Sequence, residues 1–306
     1  MILPTPRYAV IFRTHFWDDF ADRQFKRLEG QVRSGDAYVL VDETRGHVAG
    51  IPTDRVFRLT DRQVIEAGYV DAGEGAVQWY SGDVPLYLFA AAHPDYDYYL
   101  QLEYDANIQT DLDSLIARLA AEKIDVVAMT EPSPDAEWPW LPTCLEVYPR
   151  EEILHQLICI SAFSSHALEQ LSKARLAQAE RYRAGDLKTW PYCEGFVPTE
   201  SVRAGLKLCE LSLLGTVASY DSWPPMLESR LPQVRGQAFV HPVLDGDRYV
   251  ASLLKWNPGF KELALPLSWL HRKLWRLGPA GYLKALRGNS FRQAFSKWRE
   301  RRRALA

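Results

Sequence analysis

The segment "DYDYYLQLEYDANIQTDLD", residues 95–113, holds two acids, Glu103 and Asp105, at the end of an apolar run. Read as a strand, it points Tyr98, Leu100, Leu102 and Tyr104 one way, and Asp97, Tyr99, Gln101, Glu103 and Asp105 the other. The two carboxylates then share a face, roughly 6 to 7 Å apart along the strand. Charged side chains are disfavoured in strands and costly to bury unpaired. Hard divalent cations give such a pair a purpose, because they take carboxylate oxygens and keep positions for phosphate oxygens and water. A nucleotide diphosphate suits that chemistry, since the metal offsets phosphate charge that the carboxylates would repel. The structural alternative is a strand end whose acids pair with arginine or cap the next helix.

The surrounding elements must deliver these groups to one place. Residues 8–12 read as a buried strand followed by Arg13, Thr14 and His15, and 16–35 carries Phe16, Phe20, Phe25 and Leu28 at roughly helical spacing. A second strand, 36–46, ends in Asp42 and Glu43, and 54–60 reads as a third. Residues 84–94 form an apolar helix stopped by Pro94; 111–123 is a helix capped by Asp111; 124–130 is a strand. A proline- and tryptophan-rich loop, 131–150, leads to a strand and long helix over 155–185. Residues 186–212 read as a loop, a helix capped at Thr199 and a strand, and 236–256 as mostly strand and turn. Alternating strands and helices predict an α/β fold with a mostly parallel sheet. Ligands of open sheets of this kind sit at the carboxyl ends of the strands, where Glu103 and Asp105 lie.

The composition fits a large soluble core: 306 residues, 47% hydrophobic and 25% charged. The net charge of −3 hides an asymmetry. From His271 onward there are eleven Lys/Arg and one acid, Glu300, a charge of +10 that leaves −13 on the rest. A catalytic body over 1–255 and a basic helical extension over 256–306 are expected. Phe291, Phe295 and Trp298 fall at helical spacing among the basic residues, which suits either an anionic membrane surface or a terminal helix docked on the body. An acidic body without a recognition motif argues against a nucleic-acid partner. The four cysteines show no metal or disulfide spacing, the N-terminus lacks a signal-peptide pattern, and no long apolar run is present. The expected compartment is the cytoplasm, with peripheral attachment at the inner face of the membrane as an extension of it.

An apolar strand closed by "LEYD" (102–105), preceded by strand–helix units and followed by a helix, resembles the GT-A glycosyltransferases, with a Glu where that family's Asp-x-Asp motif begins. The resemblance, over roughly residues 7–250, implies a GT-A-like Rossmann-type sheet, mixed but mostly parallel, flanked by helices. It implies Mn²⁺ or Mg²⁺ as cofactor, a nucleotide-sugar donor and a glycan or lipid-linked acceptor. Asp105 would be the direct metal ligand, Glu103 would meet the ribose or a metal-bound water, and His241 of "FVHPVLDG" would complete the metal shell. Glu194 of "WPYCEGFVPTE" would be the base of an inverting enzyme, with Glu200 as a structural competitor in the first turn of the helix after Thr199. Arg13, Thr14 and Asp42 would contact the nucleotide, with His15 as an alternative. Gly82 and Asp83 lie where such enzymes touch the donor, although Asp83 equally suits a helix cap. Trp138, Trp140 and Trp223 offer rings for sugar stacking or for core packing.

Two other classes fit the acids. A carboxylate-pair glycoside hydrolase needs no nucleotide, and a scaffold with a degenerate transferase body needs no catalysis. A nicotinamide enzyme is disfavoured because no G-x-G-x-x-G follows the first strand, and no phosphate-binding G-x-x-x-x-G-K-[ST] loop exists.

Overall fold

A computed structural model describes residues 6–70, 77–130, 138–220, 223–256, 265, 267–288, 292 and 296. The chain divides into two compact units: Met1–Tyr104 with Thr110–Thr216, and Asp105–Gln109 with Val217–Ala306.

The first unit is built on a seven-stranded sheet in the order β3-β2-β1-β4-β7-β6-β8. Its strands are β1 (Tyr8–Thr14), β2 (Asp36–Asp42), β3 (Val56–Leu59), β4 (Tyr98–Glu103), β6 (Val126–Thr130), β7 (Gln156–Ser164) and β8 (Leu208–Glu210). Only β7 runs against its neighbours β4 and β6; the other pairings are parallel. Every residue of β1 is buried, as expected of a strand covered on both faces. Alternation divides the strand between two layers. Ala9 and Ile11 join the core under the helices α4 (Val84–Ala92), α7 (Ser165–Ala184) and α8 (Cys193–Arg203). Phe12 faces the other way and meets Phe25 of α1 (Asp19–Glu29) at 5.7 Å. Asp18 caps α1 by accepting from the amides of Phe20 and Ala21, and Asp111 caps α5 (Leu112–Glu122) as the sequence indicates.

A buried ion pair ties the three helices of the core together. Arg175 of α7 is wholly buried and donates Nε and Nη2 to the two carboxylate oxygens of Asp83, at 2.7 and 3.0 Å. Its guanidinium lies 3.7 Å from the ring centre of Phe196 on α8 and 4.6 Å from that of Trp190. Burial opposes the charge, Asp83 outweighs it, and the guanidinium is held above its ordinary pKa. Asp83 stands at the N-terminus of α4 but makes no side-chain cap there; both its oxygens serve Arg175. Gly82 is buried in the same turn.

The helix expected to begin at Thr199 begins instead at Cys193. Glu194 therefore lies in its first turn, not in a loop, and Glu200 lies well inside it. Thr199 is no cap: its Oγ1 accepts from the Leu154 amide at 3.0 Å.

The second unit holds a three-stranded sheet, β5 (Asn107–Ile108), β11 (Phe239–His241) and β9 (Val217–Tyr220), with β11 central. A parallel pair, β10 (Met226–Leu227) and β12 (Val243–Leu244), adjoins α9 (Gly246–Trp256). Residues 246–256, expected as strand and turn, are thus helical. Tyr249, Val250, Leu253 and Leu254 recur at the spacing of one helix face and enter a cluster with Leu270 and Leu274 of α10 (Trp269–Trp275) and Ala285 of α11 (Gly278–Arg287). This early part of the basic segment docks its apolar side on α9. Phe291, Phe295 and Trp298 lie outside the described residues. Among the described residues no helix is long and apolar enough to cross a membrane.

Removing one partner of the buried pair strands a charge in the core. Asp83→Ala is expected to destabilise the protein by about 3–5 kcal/mol, and Asp83→Leu combined with Arg175→Met by much less. Urea denaturation of the three proteins measures both; equal losses in the single and double variants would contradict this reading of the core.

Candidate functional site

The strand order reverses between β1 and β4: the chain steps from β1 out to β2 and β3, then returns to β4 on the other side. In doubly wound sheets the crevice at the carboxyl ends of such a switch point is where ligands bind. Here those ends carry Arg13 and Thr14 on β1, Asp42 on β2 and Glu103 on β4. Arg13 and Glu103 are register partners in neighbouring strands.

The face that carries them is unusually polar for a sheet interior. Arg13, buried, donates Nη1 to Gln101 Oε1 at 3.1 Å, and Gln101 Nε2 donates to Ser161 Oγ of β7 at 3.0 Å. Ser161 Oγ in turn donates to the Ile158 carbonyl at 3.2 Å. Alternation puts Glu103 beyond Gln101 and Cys159 beyond Ser161 on this same face, and the Glu103 carboxylate and Cys159 thiol approach within 4.8 Å. Cys159, Gln101 and Ser161 were not among the candidates from sequence. Their signal was present, since period 2 puts Gln101 between Tyr99 and Glu103 on one face, but Ser161 and Cys159 join only through strand pairing.

Other predicted contacts are placed more locally. Thr14 Oγ1 donates to the Phe16 carbonyl at 2.7 Å. Asp42, buried, accepts from the Thr44 amide at 2.9 Å. His15 is exposed, with its ring edge against Phe16 and Tyr104. Glu43 is taken up by structure: it accepts from the Val48 amide at 2.8 Å and pairs with Arg58 and His47. Burial raises its pKa, but those partners outweigh burial and hold the carboxyl below its ordinary range.

Helix α8 brings the remaining acid. Glu194 is half-buried in the first turn, where the helix dipole favours a carboxylate. Gly195 sets how closely that turn approaches its neighbours: a Cβ there would lie 2.7 Å from both the Cys144 Sγ and the Trp138 ring. Trp138 itself is buried and stacks on His155 at 4.9 Å. Just before the helix, Tyr192 is buried and its hydroxyl pKa is pushed up, first by burial and then by Cys193, Glu194, Glu103 and Cys159. Burial likewise pushes up the Cys193 thiol and leaves it protonated at neutral pH. Glu200, further along the helix, accepts from Gln178 Nε2 at 3.5 Å.

In the second unit, β4 has already ended at Glu103, and Asp105 lies beyond the strand. The two acids therefore do not share a strand face. Asp105 takes part in the pairing of the second unit: its carbonyl accepts from the Val243 amide at 2.6 Å, and Asn107 and Ile108 pair with β11. The same pairing brings His241 to it. His241 Nε2 is 3.7 Å from Asp105 Oδ1, longer than a hydrogen bond, and both side chains are largely buried. His241 Nδ1 is buried without a hydrogen-bond partner among the described residues. A largely buried imidazole and a carboxylate thus face each other in this unit, and both are side chains able to ligate a divalent cation. Trp223 packs against Trp269 at 4.8 Å.

No family model matches the chain, and no curated protein matches it. Among solved structures it is similar to a glycosyltransferase involved in the glycosylation of the major capsid of PBCV-1, at 14% identity and a TM-score of 0.38, over 77% of this chain and 92% of that chain. So distant a likeness leaves function to the residues of the site.

Proposed function

We propose that the protein is a metal-dependent glycosyltransferase of GT-A type, using a nucleotide-sugar donor. The observation that carries this reading is the switch point of the sheet, where Arg13 and Glu103 stand in register at the carboxyl ends of β1 and β4. Arg13 supplies a cation for a phosphate or the base. Glu103 and Asp42 are acceptors for ribose hydroxyls, and Thr14 fixes the turn after β1. Asp105 and His241 would hold Mn²⁺ or Mg²⁺, which supplies positive charge for the diphosphate leaving group.

Glu194 acts as general base. It takes the proton of the acceptor hydroxyl as that oxygen attacks the anomeric carbon, and the bond to the nucleoside diphosphate breaks with inversion. Half-buried in the first turn of α8, two residues after Tyr192, its carboxylate is still open to an acceptor hydroxyl. Asp83 has no part in this chemistry, because Arg175 occupies both its oxygens.

The acceptor is a glycan or a lipid-linked glycan. A membrane location is supported by α10 and α11, where exposed Trp275 and Leu283 alternate with exposed Arg272, Arg276, Lys284 and Arg287. Sedimentation with phosphatidylglycerol vesicles should capture the protein and release it as salt rises; equal recovery with neutral phosphatidylcholine vesicles would remove this part of the reading.

The donor site is tested by thermal unfolding with UDP, GDP, CDP, ADP and CMP, each with and without Mn²⁺. A ligand at about 100 times its dissociation constant adds on the order of 2.7 kcal/mol, visible as a melting shift. One diphosphate should stabilise only with metal, and Asp105→Ala should lose that effect. If no nucleotide shifts the wild type, the acids are structural or hydrolytic.

A further inference from the structure

Trp79 is used neither by the core nor by the chemistry above. It is 52% exposed, although Val77, Tyr80 and Ser81 around it are buried. Large aromatic side chains normally bury most of their area, and an indole left in water is a candidate contact surface.

The ring is nevertheless held in place. It makes edge contacts with Trp140 at 5.2 Å and Tyr192 at 5.5 Å, while Trp140 lies flat on Tyr192 at 4.6 Å. The Trp79 carbonyl accepts from the Cys193 thiol at 3.7 Å. Behind it, Tyr80 donates its hydroxyl to the Trp190 carbonyl at 2.8 Å, and Trp190 Nε1 donates to Ser81 Oγ at 3.0 Å. Trp79 is thus a rigid, half-open aromatic surface that pays little entropy on contact. Through Tyr192 it adjoins the start of α8, whose first turn carries Glu194.

A flat apolar ring beside a carboxylate has a specific complement. A pyranose presents a face of C–H groups to the negative face of an indole and hydroxyls that donate to carboxylates. A nucleobase also stacks on indole, but the phosphates it carries would meet the carboxylate of Glu194 in the adjoining turn. We propose that Trp79, braced by Trp140 and Tyr192, is the stacking platform for a pyranose ring of the acceptor. This rests on the transferase reading for the ring's role as acceptor, though not for its binding. Sequence reasoning had singled out Trp138, Trp140 and Trp223; the structure buries Trp138 and leaves Trp79 as the open ring of this cluster.

Saturation-transfer NMR tests it, with methyl glycosides of glucose, galactose, mannose and N-acetylglucosamine, and with uridine, guanosine, cytidine and adenosine as competing stackers. The wild type should transfer saturation to at least one glycoside. Trp79→Ala should weaken that glycoside about tenfold, the upper part of what one aromatic contact contributes, and Trp79→Phe should recover part of the loss. Trp79→Ala should stay folded, with a melting temperature lowered by a few degrees at most, and should keep the wild-type melting shift with nucleotide and Mn²⁺, which separates the platform from the donor site. The proposal is overturned if no glycoside binds, if binding ignores the Trp79 changes, or if a nucleoside alone takes the Trp79-dependent signal. A wild type that binds a glycoside through Trp79 yet shows no nucleotide shift would keep the platform and sink the transferase reading.

Discussion

The first unit depends on one buried charge. Arg175 sits on α7, the longest of the described helices, with no contact to water, and its charge is compensated by Asp83 with two hydrogen bonds and by the ring faces of Phe196 and Trp190. A guanidinium in a core is tolerated only when its donors are matched. The matching groups come from three places in the chain: Asp83 in the turn before α4, Trp190 in the segment before α8, and Phe196 in the first turns of α8. The start of α8 carries Tyr192, Glu194 and Gly195. The proposed base thus lies two residues before Phe196, the ring on which the buried guanidinium rests.

The switch point contributes the second constraint. A parallel pairing of β1 and β4 brings side chains of equal parity level with each other, so Arg13 and Glu103 share a face without any special local geometry. The interior of that face would be an unpaired polar stripe but for the relay from Arg13 through Gln101 to Ser161. The antiparallel β7 closes that relay, since its Ser161 is opposite Gln101. Oriented in this way, Arg13 is a fixed cation and not a solvated one.

Much of this was legible in the sequence, for reasons that differ between elements. β1, β2 and β4 are short apolar runs bounded by polar residues, and burial on both faces is what such runs encode. The caps at Asp111 and the apolar α4 follow from local chemistry. The start of α8 was misread because Thr199 and the preceding Pro198 look like a helix boundary. The helix runs through Pro198, and its true start is set by packing at Gly195 and by the contacts of Phe196. The face of α9 repeats at Tyr249, Val250, Leu253 and Leu254, a helical spacing hidden by the strand-forming residues around it. The role of Asp83 was out of reach, since its partner lies 92 positions away in the chain. That β4 stops at Glu103 and Asp105 joins the pairing of Asn107 and Ile108 was equally hidden, because it depends on a strand more than a hundred residues later.

The central claim, that these residues transfer a sugar from a nucleotide, is met most directly by following nucleoside diphosphate release from a panel of nucleotide-sugars, with Mn²⁺ and simple glycosides as acceptors. The account predicts that the wild type releases one nucleoside diphosphate and forms a glycoside of inverted anomeric configuration. Glu194→Gln should lower that rate by about 10²- to 10⁴-fold, the usual contribution of a general base, while still binding the donor. No release from any donor, or a Glu194→Gln protein as fast as the wild type, would contradict it.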